Sequence, residues 1–367
     1  MMLKDVFFVH VFNDFSGSPR VLRDAIEACD ECSGDRYLFT SRHDGFLDNA
    51  PVIRVPVFYR RSNIKLLQLF YYVLSQCHLF AVLSFYLIRS LKNKRKTSLL
   101  INTLLPCGAG IAGKLFASKV IYYVHESHIS PRPLKQFLRT IIEWTADNVV
   151  FVSKYLLNDE FFKKPVQTVI YNGLRKDFIP NLDLDYPAKF KSRQVFFAGS
   201  LKDYKGIKQL ALLAKVLEQF SFVAAINCSE HELTAYQNLN FIPANLVLLP
   251  RPDNVQVMFE TSFCILNLSL PDQWVETFGL SLLEGMTFGC PAVAPPVGGP
   301  IEFVNPMNGL LSDSRDIDTI SDFLGTLASD YEIWLKYSTN AQLCASLFTS
   351  EIYSSEFKTY MISNDFI

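Results

Sequence analysis

The sequence predicts an α/β protein of two domains. Short apolar runs alternate with helical stretches along the whole chain, which is the pattern of sheets covered by helices. The 367 residues are enough to bury two cores. Two series of strand-like runs are separated by a segment, 172–193, that carries Pro180 and Pro187 and reads as a linker.

Residues 5–12 read as a buried strand and 19–29 as the helix after it. The runs 37–40, 52–57, 98–102, 120–124 and 149–152 supply further strands of the first domain. The second series opens at 194–198, passes through a glycine-containing turn into a helix, and continues at 222–226, 246–249, 263–268 and 292–294. Residues 350–363, with Tyr353, Phe357 and Tyr360, form a last helix expected to pack back on the first domain. The expected limits are 1–180 and 181–348 for the two domains and 349–367 for that helix. The chain has no internal repeat and no low-complexity tract.

The formal net charge is −1, but it is unevenly spread. Residues 1–180 hold 24 Lys and Arg against 15 Asp and Glu; residues 181–367 hold 11 against 21. A basic half bears on partners rather than on fold. Its cations are not interleaved with stacking aromatics, so nucleic acid is not expected. Eight cysteines at irregular positions, and no apolar run behind a basic cap at the N-terminus, fit a reducing cytoplasm. Cys29 and Cys32 have metal or redox spacing but no second pair, and no metal site is expected.

Residues 64–91 form a long apolar helical pattern with Arg60 and Arg61 before it and Arg89, Lys92, Lys94, Arg95 and Lys96 at or after its end. Its length would allow a span. Gln68, Ser75, Gln76 and His78, and its place inside an alternating strand–helix series, fit a helix partly buried and partly resting on an anionic bilayer. A core helix remains the other reading.

The most informative segment is 276–284. Glu276 and Glu284 stand eight positions apart, about 80° past two full helical turns, with a small-residue turn between them. If Glu276 precedes the helix, both carboxylates reach one ligand from one side. The amides of Thr277, Phe278, Gly279 and Leu280 at the helix start suit an anion. Spacing alone fits equally an ordinary helix with two exposed glutamates. Beyond the helix, Gly289-Cys290-Pro291-Ala292-Val293-Ala294 reads as a stop and a short buried strand, and 296–304 then carries Gly298-Gly299-Pro300.

From Trp274 to Val304 the chain resembles the donor-binding segment of retaining glycosyltransferases of family 4. That resemblance implies the GT-B fold, two Rossmann-like domains facing across a central cleft, with acceptor binding in the first and nucleotide-sugar binding in the second. Other loops compare with the family in turn. The first strand leads to Ser16-Gly17, where the family has paired glycines; only Gly17 matches. His125, closing the strand 120–124, stands where the family has a histidine near the donor sugar, although a lone histidine is often structural. Asn172-Gly173 matches a family turn. The run 198–206 resembles the phosphate-clamping loop: Lys205 matches its lysine, while Ser200 occupies the arginine position. One expected cation is therefore missing, which Lys202, or Arg20 from the other domain, could replace.

The resemblance implies a retaining, metal-independent transfer from a nucleoside-diphosphate sugar, with no other cofactor. Glu276 would meet donor-sugar hydroxyls, Glu284 the ribose, Lys205 the diphosphate, and His125 the sugar near the reacting carbon. A lipid-linked saccharide acceptor is expected at the inner face of a membrane, in O-antigen, lipopolysaccharide or capsule assembly, with the protein cytoplasmic and peripheral. The alternatives are a noncatalytic or degenerate GT-B scaffold, a nucleotide-sugar epimerase and a storage-polysaccharide synthase. The first loop lacks a full dinucleotide fingerprint, which disfavours an oxidoreductase.

Overall fold

The computed structural model describes residues 3–176, 178 and 184–367. In chain order the first elements are β1 (Lys4–Val9), α1 (Gly17–Ala28), β2 (Arg36–Thr40), β3 (Ile53–Pro56), α2 (Lys65–Lys92) and β4 (Lys96–Asn102). Then come α3 (Cys107–Phe116), β5 (Lys119–Val124), α4 (Arg132–Thr145), β6 (Asn148–Phe151), α5 (Lys154–Asp159) and β7 (Val166–Val169). The second half contains α6 (Tyr186–Ser192), β8 (Gln194–Gly199), α7 (Ile207–Val216), β9 (Ser221–Ile226), α8 (Glu230–Leu239) and β10 (Leu246–Pro250). It continues with α9 (Val255–Thr261), β11 (Cys264–Leu266), α10 (Leu280–Thr287), β12 (Ala292–Ala294), β13 (Gly309–Leu311), α11 (Ile317–Ser329) and α12 (Tyr331–Ala345). The helix α13 (Ser350–Ser363) ends the series.

The chain divides into two compact units. Unit 1 holds the described residues up to Gly173 together with Ser350–Ile367, and unit 2 is Leu174–Thr349. Among the described residues, unit 1 has seven parallel strands in the order β3-β2-β1-β4-β5-β6-β7, and unit 2 has six in the order β10-β9-β8-β11-β12-β13. Each is an α/β domain built on a wholly parallel sheet. The strand order reverses between β1 and β4 in the first sheet and between β8 and β11 in the second. Beyond the C-terminal strand ends at such a reversal, helices leave in opposite directions and open a crevice.

The strands read as continuous apolar runs because helices cover both sheet faces. Val6, Phe7, Phe8 and Val9 of β1 are fully buried. In α2 the buried residues Gln76, Leu79, Leu83, Leu87 and Ser90 recur at three- and four-residue steps, so they form one stripe. This stripe meets α3, where a Cβ on Gly108 would lie 2.3 Å from the Gln76 carbonyl oxygen; only glycine permits the approach. The end of α2 is tied to β1 through buried Asp5, which accepts from Ser90 Oγ (2.6 Å) and Arg95 Nη1 (3.0 Å). Phe357 and Met361 of α13 are fully buried, and the Phe357 ring lies 5.6 Å from that of Tyr123 on β5.

The segment expected as a linker contains a helix. Asp185 caps α6 through the Ala188 amide, Pro187 sits in its first turn, and Phe190 packs on the aromatic core around Trp334. Lys189 is 2% exposed; its Nζ donates to the carbonyls of Phe259 (2.8 Å) and Phe288 (2.6 Å). Residues 186–192 are thus fixed in unit 2, since an ammonium group so buried requires partners. The expected boundary at 180/181 and Pro180 lie outside the described residues. The edge strands β7 and β13 have no counterpart in the expected series, and the other differences are of ends: β1 stops at Val9 rather than 12, α1 starts at Gly17 rather than 19, and 263–268 shortens to β11.

The expected basic group after α2 is partly engaged in the fold. Arg95 pairs with Asp5 and Asp35, and Lys96 with Asp365. The first half of α2 leaves Leu66, Leu69, Phe70, Val73 and Leu74 exposed. The helix is long and apolar enough by composition to cross a membrane, with 22% of its most apolar stretch buried. Cys29 and Cys32 are free thiols; burial raises both, and Cys32 Sγ lies 3.0 Å from the Lys4 carbonyl.

Candidate active site

In unit 2 the strand reversal gathers side chains that are far apart in sequence. β8 runs through Ser200 and Lys202 into one 3₁₀ turn, Asp203–Lys205, which ends at Gly206. Gly206 has φ +83°, and a Cβ there would lie 2.0 Å from the Leu268 carbonyl oxygen, so this turn must carry glycine. The tight approach locks the loop against the segment after β11. Lys205 Nζ thereby donates to Glu276 Oε2 at 2.8 Å, and Asn267 Nδ2 lies 3.4 Å from the same oxygen. Lys205 also stands 4.8 Å from the centre of the Trp274 ring, whose other neighbour is the stacked Tyr204 ring at 5.1 Å. Burial pushes the Glu276 carboxyl up, but the Lys205 ammonium and the Asn267 amide outweigh it and hold it below its ordinary value.

Glu276 precedes α10, and its backbone is clamped: its carbonyl accepts from the Gly299 amide at 2.8 Å, and a Cβ on Gly298 would lie 2.2 Å from that oxygen. Thr277 and Phe278 come next, and Gly279 at φ +100° starts the helix. The amides of Leu282 and Leu283 turn back to the Gly279 carbonyl, so the amides of Leu280 and Ser281 form the open end. The Phe278 ring is buried against Phe303 and Phe348, so only its backbone can serve a ligand. Glu284 is half-buried on the second turn of α10. Ser200 is half-buried just past β8, and Lys202 is exposed.

In unit 1 the corresponding reversal carries a hydrogen-bonded chain across three strand ends. His125 follows β5, Asn102 is the last residue of β4 and His10 follows β1. Asn102 Nδ2 donates to the Ser18 carbonyl at 3.1 Å, which fixes the orientation of its amide. Asn102 Oδ1 therefore accepts from His125 Nε2 (2.7 Å), and Nδ2 donates to His10 Nδ1 (3.0 Å). Both rings are neutral: burial lowers His125 to about 3 with His10 adding to the effect, and lowers His10 to about 4 against the pull of Asp14. His125 consequently presents Nδ1 as a lone-pair acceptor, and His10 carries its proton on Nε2. His125 rests on the Tyr123 ring at 4.4 Å.

Gly17 opens α1, and a Cβ there would meet nothing within 4 Å. Its smallness is not demanded by packing. Arg20 is held inside unit 1, buried, with Nη2 donating to the Gly173 carbonyl at 3.1 Å and lying 3.9 Å from Asp24. It is already committed to these partners as a structural cation. A cavity of about 700 Å³ opens beside the chain of strand ends, with His10, Thr103, Glu126 and Gln76 among its lining. Burial pushes the Glu126 carboxyl up to about 7, against nearby backbone amides and the Thr103 hydroxyl.

Sequence reasoning singled out His125 but missed His10 and Asn102. His10 was hidden because the expected strand 5–12 runs through it, whereas β1 ends at Val9; Asn102 closes the expected strand 98–102 and could have been found there. Asn267 and Trp274 were missed as partners of Lys205 and Glu276, because no spacing along the chain relates 205, 267 and 276. Lys205 and Glu276 had separate assignments, yet they bond to one another.

Residues 185–343 match the family model described as Glycosyl transferases group 1. Sucrose-phosphate synthase of Spinacia oleracea is 38% identical over 77 residues, 21% of this chain and 7% of that protein. The Zea mays enzyme is 42% identical over 67 residues, 18% of this chain and 6% of that protein. The chain thus spans only a small part of the length of these relatives. Among solved structures, HepE of Anabaena in complex with UDP-glucose superposes with a TM-score of 0.78 at 16% identity, over 98% of this chain and 99% of that one. Sucrose-phosphate synthase of Thermosynechococcus elongatus gives 0.76 at 15% identity over 99% of both chains. The fold is GT-B, and the part of unit 2 from 185 to 343 is similar to the glycosyl transferases group 1 model.

Proposed function

We propose that this protein is a retaining glycosyltransferase that moves a sugar from a UDP-sugar donor to a lipid-linked saccharide. The observation that carries the reading is the Lys205–Glu276–Asn267 cluster beside the open end of α10, inside the segment that matches the group 1 family model. A diphosphate leaving group needs fixed positive charge, which Lys205 and the Leu280 amide supply. Lys205 exchanges its Glu276 partner for the diphosphate. Glu276, freed and ionised, accepts from donor-sugar hydroxyls, with Thr277 and Gly279 alongside, and Glu284 accepts from the ribose. Lys202, exposed beside the loop, provides the second cation where Ser200 replaces the family's arginine. His125 offers a neutral acceptor to the sugar, and Gly17 leaves room at the head of α1. UDP as the donor base is supported by HepE, whose structures hold UDP and UDP-glucose. Retention of configuration and independence of a metal rest on the resemblance of 274–304 to family 4 enzymes.

The test is a thermal-shift screen with UDP, GDP, dTDP and UDP-glucose. UDP at about a hundred times its dissociation constant adds about 2.7 kcal/mol, a shift of a few degrees. A shift with GDP or dTDP alone removes the donor assignment, and no shift with any of them removes the enzyme reading in favour of a degenerate scaffold.

The protein would work in the cytoplasm, peripheral on the inner membrane face, in O-antigen, lipopolysaccharide or capsule assembly. The exposed apolar start of α2, with Arg60, Arg61 and Lys65 beside it, supports this location. Anionic vesicles are expected to co-sediment the protein and neutral ones to leave it in solution. Equal recovery from the two would count against an anionic membrane partner.

A further inference from the structure

Trp274 is fixed by its backbone and by its ring, but its indole N–H is left open. Its backbone amide donates to the Leu270 carbonyl at 2.9 Å, and the Leu270 amide donates to the Tyr204 carbonyl at 2.8 Å, so the segment 270–274 is tied to the loop that carries Lys205. The Tyr204 ring stacks on the indole at 5.1 Å with 16° between the planes. The Lys205 ammonium stands 4.8 Å from the indole centre while it donates to Glu276 at 2.8 Å, so ring and carboxylate share one cation. Trp274 Nε1 is buried with no hydrogen-bond partner among the described residues. The fully buried indole of unit 2, Trp334, differs: it donates to the Phe263 carbonyl at 2.9 Å. An indole nitrogen can only donate, and a buried donor without an acceptor is costly. In a native structure such a group calls for a reason. Burial raises the Glu276 carboxyl, and Lys205, Asn267 and the Trp274 N–H together hold it down; the indole therefore faces this carboxylate without bonding to it.

We propose that Trp274 is a positioning residue for Glu276: its indole N–H takes over the carboxylate when Lys205 leaves, and its ring face keeps Lys205 at its station until then. The proposal rests on the reading in which a diphosphate draws Lys205 away, but the change of partners is a property of the three side chains. A carboxylate stripped of its cation in a site that disfavours charge takes up a proton. Protonated, Glu276 would lose acceptor capacity for sugar hydroxyls. Asn267, at 3.4 Å, is a weak replacement for the ammonium. The indole N–H supplies the missing donor on one oxygen and leaves the other for the sugar.

Lys205→Ala imitates the departure with no ligand present. Labelled with 15N-tryptophan, the full chain gives three indole signals, from Trp144, Trp274 and Trp334, and Trp274→Phe identifies the one in question. In Lys205→Ala the Trp274 N–H signal is expected to move downfield and its exchange with solvent to slow. The double variant Lys205→Ala, Glu276→Ala should cancel both changes. A Trp274 signal that stays in place, or moves equally in the double variant, overturns the proposal. Calorimetry supplies the ligand arm. Trp274→Phe keeps a ring for Tyr204 and Lys205 and removes the donor, so it should reduce the preference for UDP-glucose over UDP about fivefold. An unchanged preference overturns the proposal as well. If the wild type binds neither ligand while the indole signal behaves as expected, the exchange of partners stands and the glycosyltransferase reading falls.

Discussion

Lys205→Ala is expected to lower the affinity for UDP by one to two orders of magnitude. Hydrogen bonds to a charged group contribute about 1.5–3 kcal/mol, and the loop offers one other nearby cation, exposed Lys202. Glu276→Gln should behave differently. It removes the partner that holds Lys205 at 2.8 Å, so UDP itself should bind as well as before or better, while UDP-glucose loses its hydroxyl acceptor and its advantage over UDP. Calorimetric titration of both ligands onto both variants reads this directly. Parallel losses of UDP in the two variants would show that the pair acts as one structural strut instead of two ligand groups. The pair also sets a pH dependence. Glu276 is held below its ordinary value of 4.5, so its stabilising contribution is present above that pH and is lost as the pH falls through the lowered folded value. In Lys205→Ala the burial remains and the cation is gone. The carboxyl then rises, and the variant should lose stability relative to the wild type above pH 4.5 and converge with it in acid.

Lys189→Ala is expected to destabilise unit 2 by about 3–5 kcal/mol, through a cavity and through carbonyls left without a donor. The side chain reaches from α6 to the ends of α9 and α10, joining Phe259, Phe288 and, at 3.4 Å, the Cys290 sulfur. Lys189→Met keeps most of the volume and removes the buried charge, so it should recover a good part of the loss. Denaturant unfolding followed by tryptophan fluorescence is suitable, since Trp334 is fully buried in unit 2. Burial lowers the Lys189 ammonium below its ordinary 10.5, more than the nearby Cys290 raises it. The unfolded chain then binds more protons than the folded one between the lowered value and 10.5, so stability rises with pH across that window and is lost as the pH falls through the lowered value. Lys189→Met should abolish this rise; a rise of the same size in both proteins would show that another group causes it.

These two lysines mark the division between what the chain announces and what folding decides. Lys205 was visible through the resemblance of 198–206 to a family loop, a stretch whose closing glycine is fixed by the turn the chain makes there. Lys189 was not visible: in a run with Pro187, Lys191 and Arg193 it reads as linker, and only the packing of Phe190 near Trp334 carries it inward. The alternating series and the small-residue turn that opens a helix after Glu276 come from the sequence by itself, because strand burial and helix periodicity are constraints on neighbours along the chain. Tertiary structure alone decided that Glu276 bonds to Lys205, that Asn102 joins two neutral histidines, that Arg20 is spent on Gly173, and that Gln76 and Glu126 share one cavity. Each of these joins residues on different strands or helices. Parallel strands bring such residues together only through crossovers of many residues, and no spacing along a sequence records which ends will meet.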